Sequence, residues 1–388
     1  MSMTTAPEAL PGTEHVLDAV RQLTPTIKDR ASDIEAARRL PGDLLRELKQ
    51  AGCFRMLLPP SHGGSGVTLP DAMRVCAALG GADASVGWTV MIGSGAWCDL
   101  AGLPRSTFDA LFGDRTDVII GGAFNPSGSA VPVDGGYRVS GRWGFASGCE
   151  HCAWLYGNCV EEIDGEHQLR TVVFAPAEVQ IEDTWTVSGL RGTGSHHFTA
   201  DEVFVPAERT FSTMQAEPCL DEPLVRIPAP ALYAQLIAST ALGVAQGAIT
   251  EILALAAGKV PLLAPRALAA NPLFQYQLAT ADTELRAAHA LLHAEAEAAW
   301  ATATSRAPFS LQQRARIRAT AVWATARAVA VVDFAYHAGG GSSLYVDSPL
   351  QRRLRDIHAI TQHFLVKPDT LTTAGAVLGG QDIDVPVF

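Results

Sequence analysis

Gly135-Gly136-Tyr137-Arg138-Val139-Ser140-Gly141-Arg142-Trp143-Gly144-Phe145-Ala146-Ser147-Gly148 is the stretch around which the rest of the chain can be organised. From Tyr137 to Phe145 the side chains alternate in the two-residue period of a half-buried strand, and the glycine pair before them supplies a hairpin turn. Further on, Asp164-Gly165-Glu166 reads as another turn, followed by a strand over 168–174. A last strand, Glu202-Val203-Phe204-Val205, ends at Pro206. The segment from about 118 to 205 therefore reads as a small antiparallel β domain.

Both flanks read as helical. Ser32-Asp33-Ile34-Glu35-Ala36-Ala37-Arg38-Arg39-Leu40 places its acids first and its bases last, as a helix dipole prefers. Pro41-Gly42-Asp43 opens a second helix over 44–51, closed by Gly52. A Pro/Gly loop over 58–66 follows, then helices over 69–79 and 84–100. Beyond a linker with Pro218, Pro223, Pro228 and Pro230 the chain is helical again. Ser310 caps a helix that runs to Ala338, where Gly339-Gly340-Gly341 stops it. This is an α+β arrangement: an N-terminal helical domain (1–118), a central β domain (119–212) and a C-terminal helical bundle (225–388). A chain of 388 residues, at about 150 per domain, fits two or three such units.

Composition excludes several classes of ligand. Lys and Arg number 29 against 40 Asp and Glu, a formal charge of −11 with no basic stripe. That disfavours nucleic acid and anionic membrane surfaces as partners. The start, MSMTTAPEALPGTEH, lacks the basic patch and apolar core of a signal peptide. The most apolar stretch, 231–257, is interrupted by Gln235, Ser239, Thr240, Gln246, Thr250 and Glu251, and reads as a buried helix rather than a membrane span. Seven unpatterned cysteines suit reduced thiols, and the expectation is a cytoplasmic protein.

The chemistry-bearing patterns are individually weak. Cys149-Glu150-His151-Cys152 has a metal-ligand spacing but no second pair, so no metal is expected. Gly339-Gly340-Gly341-Ser342-Ser343 follows a helix, not a strand, and has no Gly-Lys-Ser/Thr, so neither nucleotide-loop context is met. No nucleophile elbow is present. His358 and His363 lie five residues apart, about 140° around a helix, and would not share one ion. From pattern alone, a catalytic role for His363 stays open beside an ordinary structural one.

Four segments in register change this picture. They are Phe124-Asn125-Pro126-Ser127-Gly128, the stretch 135–148, Gly189-Leu190-Arg191-Gly192-Thr193-Gly194-Ser195, and Leu350-Gln351-Arg352-Arg353-Leu354-Arg355-Asp356-Ile357-His358 continuing to His363. In this order they resemble the acyl-CoA dehydrogenase superfamily over roughly residues 20 to 380, and within it the oxygenases of two-component flavin-dependent monooxygenases. The resemblance implies N-terminal helices, a central β domain and a C-terminal four-helix bundle. It also implies a homotetramer, with flavin held between the β domain and the bundles and partly by a neighbouring subunit. Dehydrogenases of this kind place a catalytic glutamate after the Arg-Asp pair or on an earlier helix. Here 357–367 carries no acid, and His363 stands in that neighbourhood.

The implied activity is hydroxylation of an aromatic small molecule, using reduced flavin and O2 through a C4a-hydroperoxide. FAD is favoured over FMN, and a separate NAD(P)H-dependent flavin reductase would supply it. By match to the motifs, Ser147 would hydrogen-bond flavin N5 and His363 would face the reactive edge as the catalytic pair. Trp88, Phe124, Asn125, Ser127, Phe145 and Ala146 would line the ring, and Gly340 and Ser342 would reach it from another subunit. Several relatives carry a histidine where this chain has Ser94-Gly95-Ala96, so a phenol-activating contact is missing. The tail 355–363 is most similar to indole-oxidising members, and an indole-type substrate is expected. An acyl-CoA dehydrogenase and a catalytically silent flavin-binding protein are the alternatives.

Overall fold

Three glycines make room for one tryptophan at the centre of a sheet. The computed structural model describes residues 12–113, 118–163 and 165–383. Asp164 of the expected turn and the first eleven residues of the chain lie outside them. The strands are β1 (Ile120–Val133), β2 (Gly136–Ala146), β3 (Trp154–Ile163), β4 (Glu166–Phe174), β5 (Gln180–Glu182), β6 (His196–Pro206) and β7 (Thr210–Ser212). Trp143 of β2 lies fully buried across its neighbours. A Cβ added at Gly128, Gly141 or Gly157 would fall 2.2, 2.7 or 2.6 Å from its ring. Phe198 stacks on the indole at 5.0 Å and Phe174 lies 5.4 Å away, while its Nε1 donates to the Asn158 carbonyl at 2.8 Å.

The sheet order is β5-β6-β2-β1-β3-β4-β7. It is not wholly antiparallel, as the alternation around Trp143 had led us to expect: β1 and β3 pair in parallel. The reason is the connection at the end of β2. There the chain makes a short turn, Cys149–His151, and crosses past β1 to its free edge instead of folding back beside β2. β3 therefore runs with β1, and the pairing absorbs register shifts around Pro126.

The N-terminal helices are α1 (Thr13–Asp29), α2 (Ala31–Ala37), α3 (Gly42–Gln50), α4 (Leu69–Ala82), α5 (Ala84–Gly95) and α6 (Arg105–Phe112). α2 stops short of the expected Leu40 because Arg38 turns left-handed at φ 55°. α5 gives way after Gly95 to a tight turn over Cys98–Leu100 instead of continuing to residue 100. After the sheet come α7 (Pro223–Arg226), α8 (Ala229–Gly258), α9 (Pro272–Thr304), α10 (Leu311–Gly339), α11 (Pro349–Ile360) and α12 (Thr370–Leu378). Asp83, Asn271 and Ser310 cap α5, α9 and α10 by accepting backbone N–H bonds. The order of helices, a central mixed sheet and then a helical C-terminal region is the one the resemblance implies.

α8 is long and apolar enough to cross a bilayer by composition alone, yet most of its most apolar window is buried within the protein. Its polar residues serve packing: Ser239 Oγ donates to the Met73 carbonyl of α4 at 2.6 Å. Glycines bring the two helices together, and a Cβ at Gly243 would lie 2.1 Å from the Ala77 carbonyl oxygen. Gly243→Ala should therefore lower the denaturation midpoint. Alanine gains about 1 kcal/mol of helix propensity, but prying α4 from α8 costs about 1–3 kcal/mol. An unchanged or raised midpoint would mean that the helices separate freely.

Candidate active site

Ser147 sits where β2 leaves the sheet. Phe145, two residues before it, takes φ 65°, a strained backbone for a bulky side chain. That kink turns the Phe145 ring outward, 71% exposed, and lets Ser147 N donate to the Phe145 carbonyl at 2.9 Å. Gly148, at φ 68°, then donates its N–H to the Thr193 carbonyl at 2.8 Å, joining this corner to the loop before β6.

The Ser147 side chain is the hub of a buried polar row. Trp88, from α5, donates its Nε1–H to Ser147 Oγ at 3.0 Å. Ser147 Oγ lies 2.8 Å from Ser195 Oγ, which lies 2.7 Å from Thr193 Oγ1, which donates to the Leu190 carbonyl at 2.8 Å. The Trp88 ring also meets His363 edge-on at 5.5 Å. His363 stacks on Phe364 at 4.9 Å, and Phe364 faces Phe124 of β1 at 6.3 Å. One wall is thus drawn from α5, the sheet and the segment after α11.

His363 is half-buried, and its Nδ1 accepts the Leu365 N–H at 3.3 Å, starting the short turn Phe364–Val366. Burial, helped by the Arg318 guanidinium, holds its imidazole down to about 4. With Nδ1 accepting, the neutral ring carries its proton on Nε2 and is a donor there.

The Arg-rich helix before it is an anchor. Asp356 accepts the Leu190 N–H at 2.7 Å, and burial beside Asp83 pushes its carboxyl up to about 7. Arg355 pairs with Glu35 and donates to the Ser188 carbonyl at 2.5 Å, and Arg352 reaches Glu35 at 3.1 Å. Gly189 is required here, because a Cβ would fall 2.1 Å from the Arg355 carbonyl oxygen. α11 therefore fixes both His363 and the loop that bears Thr193 and Ser195.

Other expected residues lie further apart. Asn125 and Ser127 are exposed on β1 and bonded to each other. The Ala146 methyl belongs to the sheet core. Gly340 and Ser342 lie at the far end of α10, where Lys259 Nζ bonds Ser342 Oγ at 2.9 Å, and no described contact joins them to Ser147 within the chain. Cys149 and Cys152 donate their thiols to the Gly194 and Gly148 carbonyls, and burial pushes the Cys149 thiol up to about 12. No group of three or more His, Cys, Asp or Glu side chains that could hold a metal ion occurs among the described residues.

Sequence reasoning missed a carboxylate–phenol cluster. Asp99 accepts from Tyr156 at 2.8 Å and from Tyr233 at 2.7 Å, and burial holds its carboxyl up at about 6. The three come from the turn after α5, from β3 and from α8, so no spacing could reveal them.

A flavin fits the wall at Ser147. Phe124 and Phe364 are left 43% and 49% exposed and offer uncovered apolar faces on the wall of a nearly buried hydroxyl, while Phe145 meets Trp185 and His197 edge-on, each at 6.2 Å. Such a surface suits a flat ring with one polar edge. Models of the acyl-CoA dehydrogenase N-terminal and C-terminal domains match residues 12–102 and 235–368. Indole-3-acetate monooxygenase of Pseudomonas putida is 30% identical, covering 96% of this chain and 94% of its own. The flavin-dependent monooxygenase oxygenase subunit HsaA of Rhodococcus jostii (strain RHA1) is 32% identical, over 89% and 93% of the two chains. XiaF from Streptomyces sp., solved in complex with FADH2 and glycerol, superposes with a TM-score of 0.91 at 25% identity over 97% of this chain and 98% of that one. With no acid over 357–367 and His363 set against Trp88, the chain belongs to the acyl-CoA dehydrogenase superfamily, in its branch of flavin-dependent monooxygenases.

Proposed function

We propose that the protein is the oxygenase of a two-component system which takes reduced FAD from a separate NAD(P)H-dependent reductase and hydroxylates an indole-type aromatic. The observation that carries this reading is the meeting of Ser147, Trp88 and His363 on one wall. Reduced flavin, when bound, supplies the two electrons that let O2 give one oxygen atom to substrate and one to water. Ser147 would hold the ring's N5 edge, while Phe124, Phe145 and Phe364 would cover its apolar face and exclude water. His363 would hold a proton at Nε2 facing the reacting centre. Asn125 and Ser127 would meet the ring's outer edge.

Gly340 and Ser342 would act on the flavin of a second copy in a homotetramer. The exposed Leu344, Tyr345 and Val346 beside them are the apolar surface such a copy would cover. Indole is favoured because the end of α5 and the residue after it offer only Ser94, Gly95 and Ala96 where a phenol would need a base. An indole ring attacks an electrophilic oxygen without prior deprotonation.

The test mixes protein with reduced FAD anaerobically, then adds 18O2 with indoles, phenols or an acyl-CoA thioester. The expected result is one 18O in an indole product, in higher yield than from phenols, and no thioester oxidation. Hydrogen peroxide as the sole product with every aromatic would overturn the reading. Better yield from phenols would overturn its indole part alone.

A further inference from the structure

The hydroxyl row that ends at Ser147 can be oriented in only one direction. At one end the Leu190 carbonyl has no proton to give, so the 2.8 Å contact requires Thr193 to donate to it. Thr193 has then used its proton, and its 2.7 Å contact with Ser195 requires Ser195 to donate. Ser195 in turn must accept from Ser147 across 2.8 Å. At the other end Trp88 Nε1–H can only donate, and it does so to Ser147. Each step follows because two oxygens this close repel unless a hydrogen lies between them. Thr193, Ser195 and Ser147 are all buried, so water does not scramble the order.

Ser147 has therefore given its proton away and accepted one bond, which leaves a single lone pair. We infer that Thr193 and Ser195 are positioning residues which lock Ser147 as an acceptor, so that the site reads the redox state of the flavin. The inference rests on the reading above that Ser147 meets N5. A reduced flavin carries a hydrogen on N5 and can donate to that lone pair. An oxidised flavin presents a lone pair at N5, which opposes the one on Ser147. The row thus favours the form a reductase delivers and weakens the form to be released. No residue of the row is a charge, so the selection acts through hydrogen-bond direction alone.

Two variants release Ser147. In Ser195→Ala its proton loses its acceptor and can rotate outward to oxidised N5. In Thr193→Val the Ser195 proton is free to turn toward Ser147, which then donates outward. Thr193→Ser keeps the row. One neutral hydrogen bond in this setting is worth about three- to tenfold in binding.

The experiment measures dissociation constants of oxidised FAD in air and of reduced FAD under anaerobic conditions, together with the midpoint potential of the bound flavin. The wild type should bind reduced FAD more tightly. Ser195→Ala and Thr193→Val should tighten oxidised FAD about three- to tenfold with little change for reduced FAD, and a tenfold change lowers the bound potential by about 30 mV. Thr193→Ser should behave as wild type. Equal weakening of both forms in Ser195→Ala and Thr193→Val would mean a merely structural row and would overturn the inference. If Ser147→Ala alters neither form although both bind, the placement of N5 at Ser147 fails instead. If neither form binds the wild type, the flavin reading itself fails.

Discussion

His363→Ala should cut hydroxylated product by about 10²–10⁴-fold, the range for removing a positioned proton donor or acceptor, while O2 consumption by bound reduced flavin continues and ends in hydrogen peroxide. The expectation follows from what holds the ring. Leu365 N–H occupies Nδ1, Phe364 stacks on one face, and Trp88, which also bonds Ser147, meets the ring edge-on. Only Nε2 remains to act outward, and in the neutral ring it is a donor. This favours holding a proton at the reacting centre over removing one from substrate. His363→Gln, which can still donate from its amide, should recover part of the loss. The ratio of product to peroxide checks the prediction, and product unchanged in His363→Ala would leave the protein no oxygen chemistry that depends on this residue.

The same geometry sets the pH dependence. An unperturbed imidazole titrates near 6.5, but burial and Arg318 hold this one down to about 4. Between those values the folded chain binds fewer protons here than the unfolded chain, so acid in that window opposes folding and any stability change from His363 lies below pH 6.5. Coupling of product to flavin oxidation should stay flat from pH 8 to 5.5 and decline only nearer 4. Protonation would also place a hydrogen on Nδ1 against the Leu365 N–H, so the turn that seats the ring would loosen at the same time. A limb centred near 6.5 would show an imidazole in ordinary contact with water.

What the sequence disclosed, and what it withheld, follows the reach of each signal. The hairpin over 135–146 was legible because its period and its glycine pair are local. The parallel β1–β3 pairing was not, since a crossover leaves no local mark in either strand. Ser147 and His363 could be picked out by resemblance, but their meeting through Trp88 joins residues 88, 147 and 363. Thr193 and Ser195 stood inside a quoted motif with no assigned part. Their proposed part lies in hydrogen-bond direction, which depends on the Leu190 carbonyl inside that motif and on a hydroxyl and an indole from two other places in the chain. The Arg-rich run of α11 was legible as a motif but not as an anchor, because its partners Glu35, Gly80, Gly81 and Glu251 are scattered through the helices.

Glu251→Leu should cost about 3–5 kcal/mol of stability, the penalty for stranding a buried charge, read as a lower denaturant midpoint. Arg353 is nearly enclosed and grips Glu251 with two bonds, Nε to one carboxylate oxygen at 2.7 Å and Nη2 to the other at 2.6 Å. The guanidinium also donates to the Gly81 carbonyl at 2.8 Å and the Gly80 carbonyl at 3.3 Å. Gly247 keeps the space it fills, since a Cβ there would lie 2.3 Å from Arg353 Cζ. Arg353→Lys should lose most of this stability although it keeps the charge, because an ammonium cannot make the paired bonds of the fork. The double variant Arg353→Met, Glu251→Leu should recover part of the loss but not all. It removes both buried charges, yet the Gly80 and Gly81 carbonyls remain without donors at about 1–3 kcal/mol each. A cost below about 1 kcal/mol for Glu251→Leu would place the pair in the solvated class and refute the anchor. The loss should also reach the active site. α11 holds Leu190 through Asp356 and leads directly into the turn that seats His363, so Glu251→Leu should raise the peroxide yield at temperatures where the protein is still folded.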